Sequence, residues 1–168
     1  DLAVTPSPVA GSFAQVVLKS QGYGVAMSAR NPLAVGPVSL DAYLAAPHVA
    51  VAGDSGSPNI AAALARIGVA IEPRVRVNHF TSLPLLLAGD DELVATVPDT
   101  IAEGWAKTWP VAVRPLPFEM PPVDVRLYRR ATTQQPAALD WLYRVVARAI
   151  QGSSGPFFVI HGDAPAES

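Results

Sequence analysis

Between His48 and Leu116 the sequence repeats one pattern: a short apolar run, a turn with a helix-start signal, an amphipathic stretch, and a stop. His48 to Ala52 is an apolar run of strand length. Ser57 then reads as the cap of a helix with Pro58 at its first position and Gly68 as its stop, placing Ile60, Leu64 and Ile67 on one face. Val75 and Val77 alternate with Arg74 and Arg76, as in a strand with one buried face. A helix starting at Thr81 or Ser82 carries Leu83, Leu86 and Leu87 on one side and ends at Gly89. Leu93 to Val97 is the next strand, and Thr100-Ile101-Ala102-Glu103 has capping-box spacing for the next helix. Val111 to Leu116 closes the series. Short strands alternating with short helices predict an α/β fold with a mostly parallel sheet covered on both faces.

The flanks are less regular. Pro6, Pro8 and Gly11 make a loop, and Ala14 to Leu18 and Tyr23 to Met27 read as strands. Asn31 to Ala34 and Gly36-Pro37 form turns, and Ser39 caps a short helix through Tyr43 and Leu44. After the repeating region, Val123, Val125 and Leu127 alternate with polar residues as a strand. Ala138, Trp141, Leu142, Val145, Val146, Ala149 and Ile150 then share one helical face, opposite Asp140, Arg144 and Arg148. Asp140 precedes Arg144 by four residues, a spacing worth about 0.2–0.5 kcal/mol. Beyond Gly152 the sequence is rich in Gly, Pro and Ser around one apolar knot, Phe157 to Ile160, and reads as a loosely held tail.

Bulk properties narrow the function classes. A chain of 168 residues that is 50% hydrophobic and 15% charged can build a sizeable core. A net charge of -2 argues against a nucleic-acid-binding surface, so any DNA-reading segment lies elsewhere. With no cysteine there is no disulfide, thiolate metal site or cysteine nucleophile. That absence fits a reducing cytoplasm and other compartments alike. No apolar run approaches the roughly 20 residues that span a bilayer. No signal peptide opens the chain, and the strand at Leu2-Ala3-Val4 starts without lead-in, so the chain is expected to be a fragment.

Two clusters could carry chemistry. Asp54-Ser55-Gly56-Ser57-Pro58 joins a strand to a helix N-terminus, where free N–H groups and the helix dipole favour a carboxylate. The competing reading is that Ser57 only caps its helix. Asn78-His79-Phe80 sits at a strand end beside another helix start, offering a donor and acceptor, an imidazole and a stacking ring. Such strand ends are where open α/β sheets build small-molecule sites. His48 reads as a strand-edge histidine with a backbone partner, and His161 receives no role. The three histidines lack metal-ligand spacing, and no serine sits in a nucleophile elbow. Asp90-Asp91-Glu92 reads as a solvated turn, and Arg126, Arg129 and Arg130 as surface ion-pair partners. No catalytic residue, metal or cofactor is expected.

The order of several segments resembles the effector-binding domain of LysR-type transcriptional regulators, from Asp1 to about Ile150. Asp1-Leu2-Ala3-Val4 is similar to the family's Asp-Leu-Ala-Ile element. Ser28-Ala29-Arg30-Asn31-Pro32-Leu33-Ala34 resembles its strand and His-Pro-Leu turn, with Asn31 in the His position. Ser39 to Ala52 resembles entry into the second lobe, and Arg76 to Pro84 followed by Leu93 to Pro98 resembles a run within it. Leu116-Pro117-Phe118-Glu119-Met120-Pro121 and Trp141-Leu142-Tyr143-Arg144 resemble the return to the first lobe. Details are nearest to the branch that responds to aromatic acids and nitroaromatics.

The resemblance implies a two-lobed, periplasmic-binding-protein-like fold of Rossmann-like lobes, with residues 1–27 and 114–152 in lobe one and 28–113 in lobe two. It implies an inter-lobe effector cleft contacted by Thr5, Pro6, Ser55, Gly56, Ser57, Asn78, His79, Phe80 and Phe118. It also implies self-association as a dimer or tetramer, a cytoplasmic location, and a DNA-binding helix-turn-helix that this sequence does not contain. The first strand-helix-strand of lobe one is absent as well. The leading expectation is therefore an effector sensor that binds an aromatic carboxylate, not an enzyme. A free-standing periplasmic-type solute-binding protein is the alternative, and a hydrolase or transferase fragment a more distant one.

Overall fold

The computed structural model describes residues 2–130 and 136–151. In chain order its elements are β1 (Leu2–Thr5), β2 (Phe13–Gln21), β3 (Tyr23–Ser28), α1 (Leu40–Ala45), β4 (Val49–Val51), α2 (Ser57–Arg66), β5 (Val75–Val77), α3 (Leu83–Gly89), β6 (Val94–Pro98), α4 (Asp99–Ala106), β7 (Val111–Pro115), β8 (Val123–Arg130) and α5 (Pro136–Gln151). They divide into two compact units, one of residues 21–122 and one combining 2–20 with the chain from Val123 onward. The tail expected beyond residue 152 lies outside the described residues.

In the discontinuous unit the strand order is β1-β8-β2, with β1 antiparallel to β8. Leu18, Leu127 and Ala147 form its small core, with Leu2, Val16, Tyr143 and Val146 packed around them. The rotation of α5 differs from the expected one. The helix buries Tyr143, Val146 and Ala147, while Trp141 stays 61% exposed and Leu142, Val145 and Ile150 also face out. Polar contacts account for this rotation. Arg129 of β8 takes the carboxylate of Asp140 and lies over the Tyr143 ring at 5.6 Å, so Asp140 pairs across to the strand instead of along the helix with Arg144.

Residues 21–122 hold a three-stranded sheet, β6-β3-β7, and a two-stranded sheet, β4-β5, which an isolated bridge joins in the spatial order β5-β4-β6-β3-β7. β4 runs parallel to β5, and His48 bridges in parallel to Val94 at the head of β6. β3 is antiparallel to both β6 and β7, so it is the one reversed strand. This placement brings Val25 to Ser28 to complete burial and puts β3 in the middle of this unit, although the resemblance assigned residues up to 27 to the other lobe. One core cluster gathers Ala26, Leu83, Leu87, Leu93, Val97 and Ala102, and the other gathers Val25, Met27, Val38, Tyr43, Leu64 and Val94.

Local starts and stops follow simple rules, with three shifts. Ser39 caps α1 as expected, its hydroxyl accepting from the Ala42 amide at 3.2 Å, and Gly68 ends α2's last turn at φ +76°. Ser57 lies inside α2, whose cap is Gly56, and Ile67 falls just past the helix and is 44% exposed. Phe80–Ser82 form a 3-10 turn, so α3 starts at Leu83. The helix expected at Thr100 starts one residue earlier, at Asp99. Asp99 accepts from the amides of Thr100 and Gly22 at 2.6 and 3.0 Å, and its own amide returns a bond to the Gly22 carbonyl.

Polar residues outside the sites behave as surface and core groups. Asp90 Oδ1 accepts from the amides of Glu92 and Leu93, and Asp91 pairs with Arg30 and with the buried Ser28 hydroxyl. Arg126 pairs with Asp124 at 2.7 Å. His48 is buried, donates from Nε2 to the Tyr43 carbonyl at 2.7 Å and rests edge-on against the Tyr43 ring. Burial lowers its pKa below the ordinary 6.5, outweighing the raising effect of that bond.

Two outcomes follow from this packing. The segment 21–122 is continuous and holds both large cores, so expressed alone it should unfold cooperatively in urea; a broad, non-cooperative transition would contradict its independence. Because His48 is held neutral when folded, the unfolded chain binds more protons as pH drops below 6.5. Stability should therefore decline from pH 7 towards pH 5 more steeply in the parent than in His48→Gln, measured by urea unfolding. Parallel declines would contradict a depressed His48.

Candidate functional site

The carboxyl ends of β4, β5 and β6 lie on one edge of the 21–122 sheet, and the reversed β3 begins at that same edge. Pairing continues past the strand ends, where the Ala52 amide donates to the Val77 carbonyl at 2.7 Å. The turn 53–56 therefore stands beside residues 78–80. Crossing loops at parallel-strand carboxyl ends leave a polar crevice, because helix N-termini point their amides there.

Ser55, Gly56, Ser57, Asn78, His79 and Phe80 all fall on this edge. Ser55, Asn78 and His79 are exposed, Ser57 and Phe80 half-buried, and Gly56 buried. No side chain caps α2. Among the described residues the side chains of Ser55, Ser57, Asn78 and His79 make no hydrogen bond, so each is available to a ligand. Phe80 opens the 3-10 turn and packs partly on the Leu83–Leu87 core, which fixes its ring at the border between core and edge.

Tyr23 is an edge residue that sequence reasoning missed. Its hydroxyl lies so close over Gly56 that a Cβ there would collide with it, which explains why glycine occupies that turn. Burial, and then the negative charge of Asp54, push the Tyr23 pKa above 10.0, keeping the phenol a donor. The only hint in the sequence is an aromatic residue directly after Gly22. Its position depends on β3 running antiparallel, which no periodicity reveals.

Of the remaining expected site residues, Phe118 belongs to the core of this unit, and Thr5 and Pro6 belong to the other unit. Phe118 packs edge-on against Tyr43, with ring centroids 5.5 Å apart, in the core under α1 and α2. Thr5 ends β1, and its hydroxyl accepts from the Ser7 amide at 3.0 Å. Among the described residues no group of three His, Cys, Asp or Glu side chains could hold a metal, and no helix is long and apolar enough to cross a membrane.

Comparison with known proteins supplies the family. The family described as LysR substrate binding domain matches residues 1–151. The chain is 26% identical over 149 residues to the HTH-type transcriptional activator NahR of Pseudomonas putida, covering 87% of this chain and 49% of that protein. It thus spans about half the length of the curated relative it matches. A transcriptional regulator from Vibrio parahaemolyticus superposes with a TM-score of 0.75 at 28% identity, over 90% of this chain and 71% of the other. The regulatory domain of MexT, a transcriptional activator in Pseudomonas aeruginosa, gives 0.73 at 24% identity over 87% and 72%. The effector binding domain of QuiR in complex with shikimate gives 0.72 at 18% over 90% and 72%. The last two similarities speak for the fold alone. With a match across nearly its whole length, this chain belongs to the LysR substrate-binding domain family.

Proposed function

We propose that this chain is the effector sensor of a LysR-type transcriptional regulator and that it binds a small aromatic carboxylate at the carboxyl edge of the 21–122 sheet. The observation that carries the reading is the convergence there of four uncommitted polar side chains, Ser55, Ser57, Asn78 and His79, with the Phe80 ring and the N-terminus of α2. A carboxylate at this edge gains from helix amides and hydroxyls, and an aromatic ring gains from Phe80. Tyr23 stands ready as a further donor. The shikimate held by QuiR, itself a ring carboxylate, supports a ligand of this chemical kind. Ligand control requires that the effector favour one arrangement of the protein over another, not merely that it bind tightly.

In this reading the protein works in the cytoplasm, needs no cofactor and performs no catalysis. DNA is read by a helix-turn-helix outside this sequence. The family match over residues 1–151 counts against a free-standing solute receptor.

Self-association belongs to the same reading. Trp141, Leu142, Val145 and Ile150 present an exposed apolar stripe on α5. Sedimentation of the chain at high micromolar concentration should show dimers or larger species; a clean monomer would count against association.

The site is tested by calorimetric titration with benzoate and salicylate. His79→Ala removes a donor whose charge-assisted bond to a carboxylate is worth about 1.5–3 kcal/mol. Affinity should fall at least about tenfold, since about 1.4 kcal/mol is one decade. Asn78→Ala should weaken binding less. Both residues are exposed, so thermal stability should hold. Unchanged affinity when His79→Ala and Asn78→Ala are combined would place the acid elsewhere.

A further inference from the structure

Next to the carboxyl edge, the 21–122 unit contains a pocket of about 310 Å³ between α2 and the strands β4 and β5. Small side chains line its mouth: Ala61 and Ala65 of α2 and Ala70 beyond the helix are exposed, and Ala50 of β4 is half-buried. The pocket opens to solvent where Ala61, Ala65 and Ala70 are exposed, and its floor is the buried Val49 and Leu64; for scale, an enclosed apolar cavity of about 150 Å³ already takes up benzene. This pocket offers about twice that room.

Its polar groups define the ligand. Tyr43 and Thr96 both line the pocket, Tyr43 almost wholly buried, and their hydroxyls meet at 2.6 Å. One proton joins them, leaving one further O–H donor and free lone pairs for a guest hydroxyl. His48 also lines the pocket and has committed Nε2 to the Tyr43 carbonyl, so its ring adds no positive charge. The one lining cation, Arg76, is held by Glu72 at 2.8 Å, and Asp54 contributes a negative group. A carboxylate entering here would shed water without gaining an uncommitted cation, a costly transfer. An uncharged ring with one hydroxyl meets no such cost.

We infer that this pocket is a second small-molecule site, adjoining the carboxyl-edge polar cluster and sharing Ser57 and Phe80 with it, and that it takes an uncharged, phenol-like aromatic beside the Tyr43–Thr96 hydroxyl pair. Asp54, Ser57 and Phe80 line it on the side nearest that cluster, so the two sites are neighbours within one unit. The inference stands whether or not an acid binds at the edge.

The test is NMR titration of the 168-residue chain with phenol, toluene and salicylate. Ala61→Leu with Ala65→Leu fills the mouth of the pocket, and leucine has nearly the helix propensity of alanine, so circular dichroism should be unchanged. Phenol affinity should drop at least tenfold in this variant while salicylate affinity stays within twofold. A second variant, Tyr43→Phe with Thr96→Val, keeps the shape but removes both hydroxyls; it should erase the preference for phenol over toluene. Absence of phenol binding to the parent chain would overturn the inference. So would phenol binding that survives the leucine pair, or that is lost instead in His79→Ala.

Discussion

The pairing of β3 with both β6 and β7 is the constraint on which the 21–122 unit depends. β3 lies between those two strands in the sheet order, and four consecutive residues, Val25 to Ser28, are fully buried along it. Its reversed direction also decides what stands at the carboxyl edge. The strand enters at Gly22, whose amide and carbonyl are both taken by Asp99 at the start of α4, and its first residue, Tyr23, is thereby set over the Gly56 turn. Core packing and edge chemistry are therefore fixed by one strand. A change that loosens β3 would disturb the edge without touching a ligand.

In the proposed reading, the edge and the adjoining pocket divide the chemistry of small aromatic molecules between them. At the edge, exposed polar side chains and helix amides suit a charged group that keeps part of its hydration. In the pocket, alanine-lined space and a self-bonded hydroxyl pair suit a ring without charge. Phe80 borders both and is anchored in the Leu83–Leu87 core, so movement of that ring is resisted by packing. Occupancy of either place would bear on the same α2 and the same strand ends.

Much of this architecture was legible in the sequence, because period and punctuation carry it. Val75 and Val77 are half-buried while Arg76 is exposed, as alternation required, and Gly68 with its positive φ ends the turn after α2. Other features depend on tertiary partners. The start of α4 lies at Asp99, whose carboxylate serves the distant Gly22 amide as well as the Thr100 amide. The face of α5 differs from its helical pattern because Arg129 and Tyr143 set its rotation: of Ala138, Trp141, Leu142, Val145, Val146, Ala149 and Ile150, Val146 packs on the core while Trp141, Leu142, Val145 and Ile150 face out. Within the site, the clusters 55–57 and 78–80 could be named from strand-to-helix turns. Their adjacency came from the parallel pairing of β4 and β5, Tyr23 came from strand direction, and Phe118 went to the core beside Tyr43.

The central claim is that the carboxyl edge of this sheet receives an aromatic acid. A titration of the isotopically labelled chain with salicylate, followed by amide chemical shifts, tests it most directly. The account predicts saturable shifts concentrated at Ser55–Ser57 and at Asn78–Phe80, with Tyr23 following them and the α5 amides unmoved. Saturable shifts centred on α5 or on β1 and β8, with residues 55–57 and 78–80 silent, would contradict it.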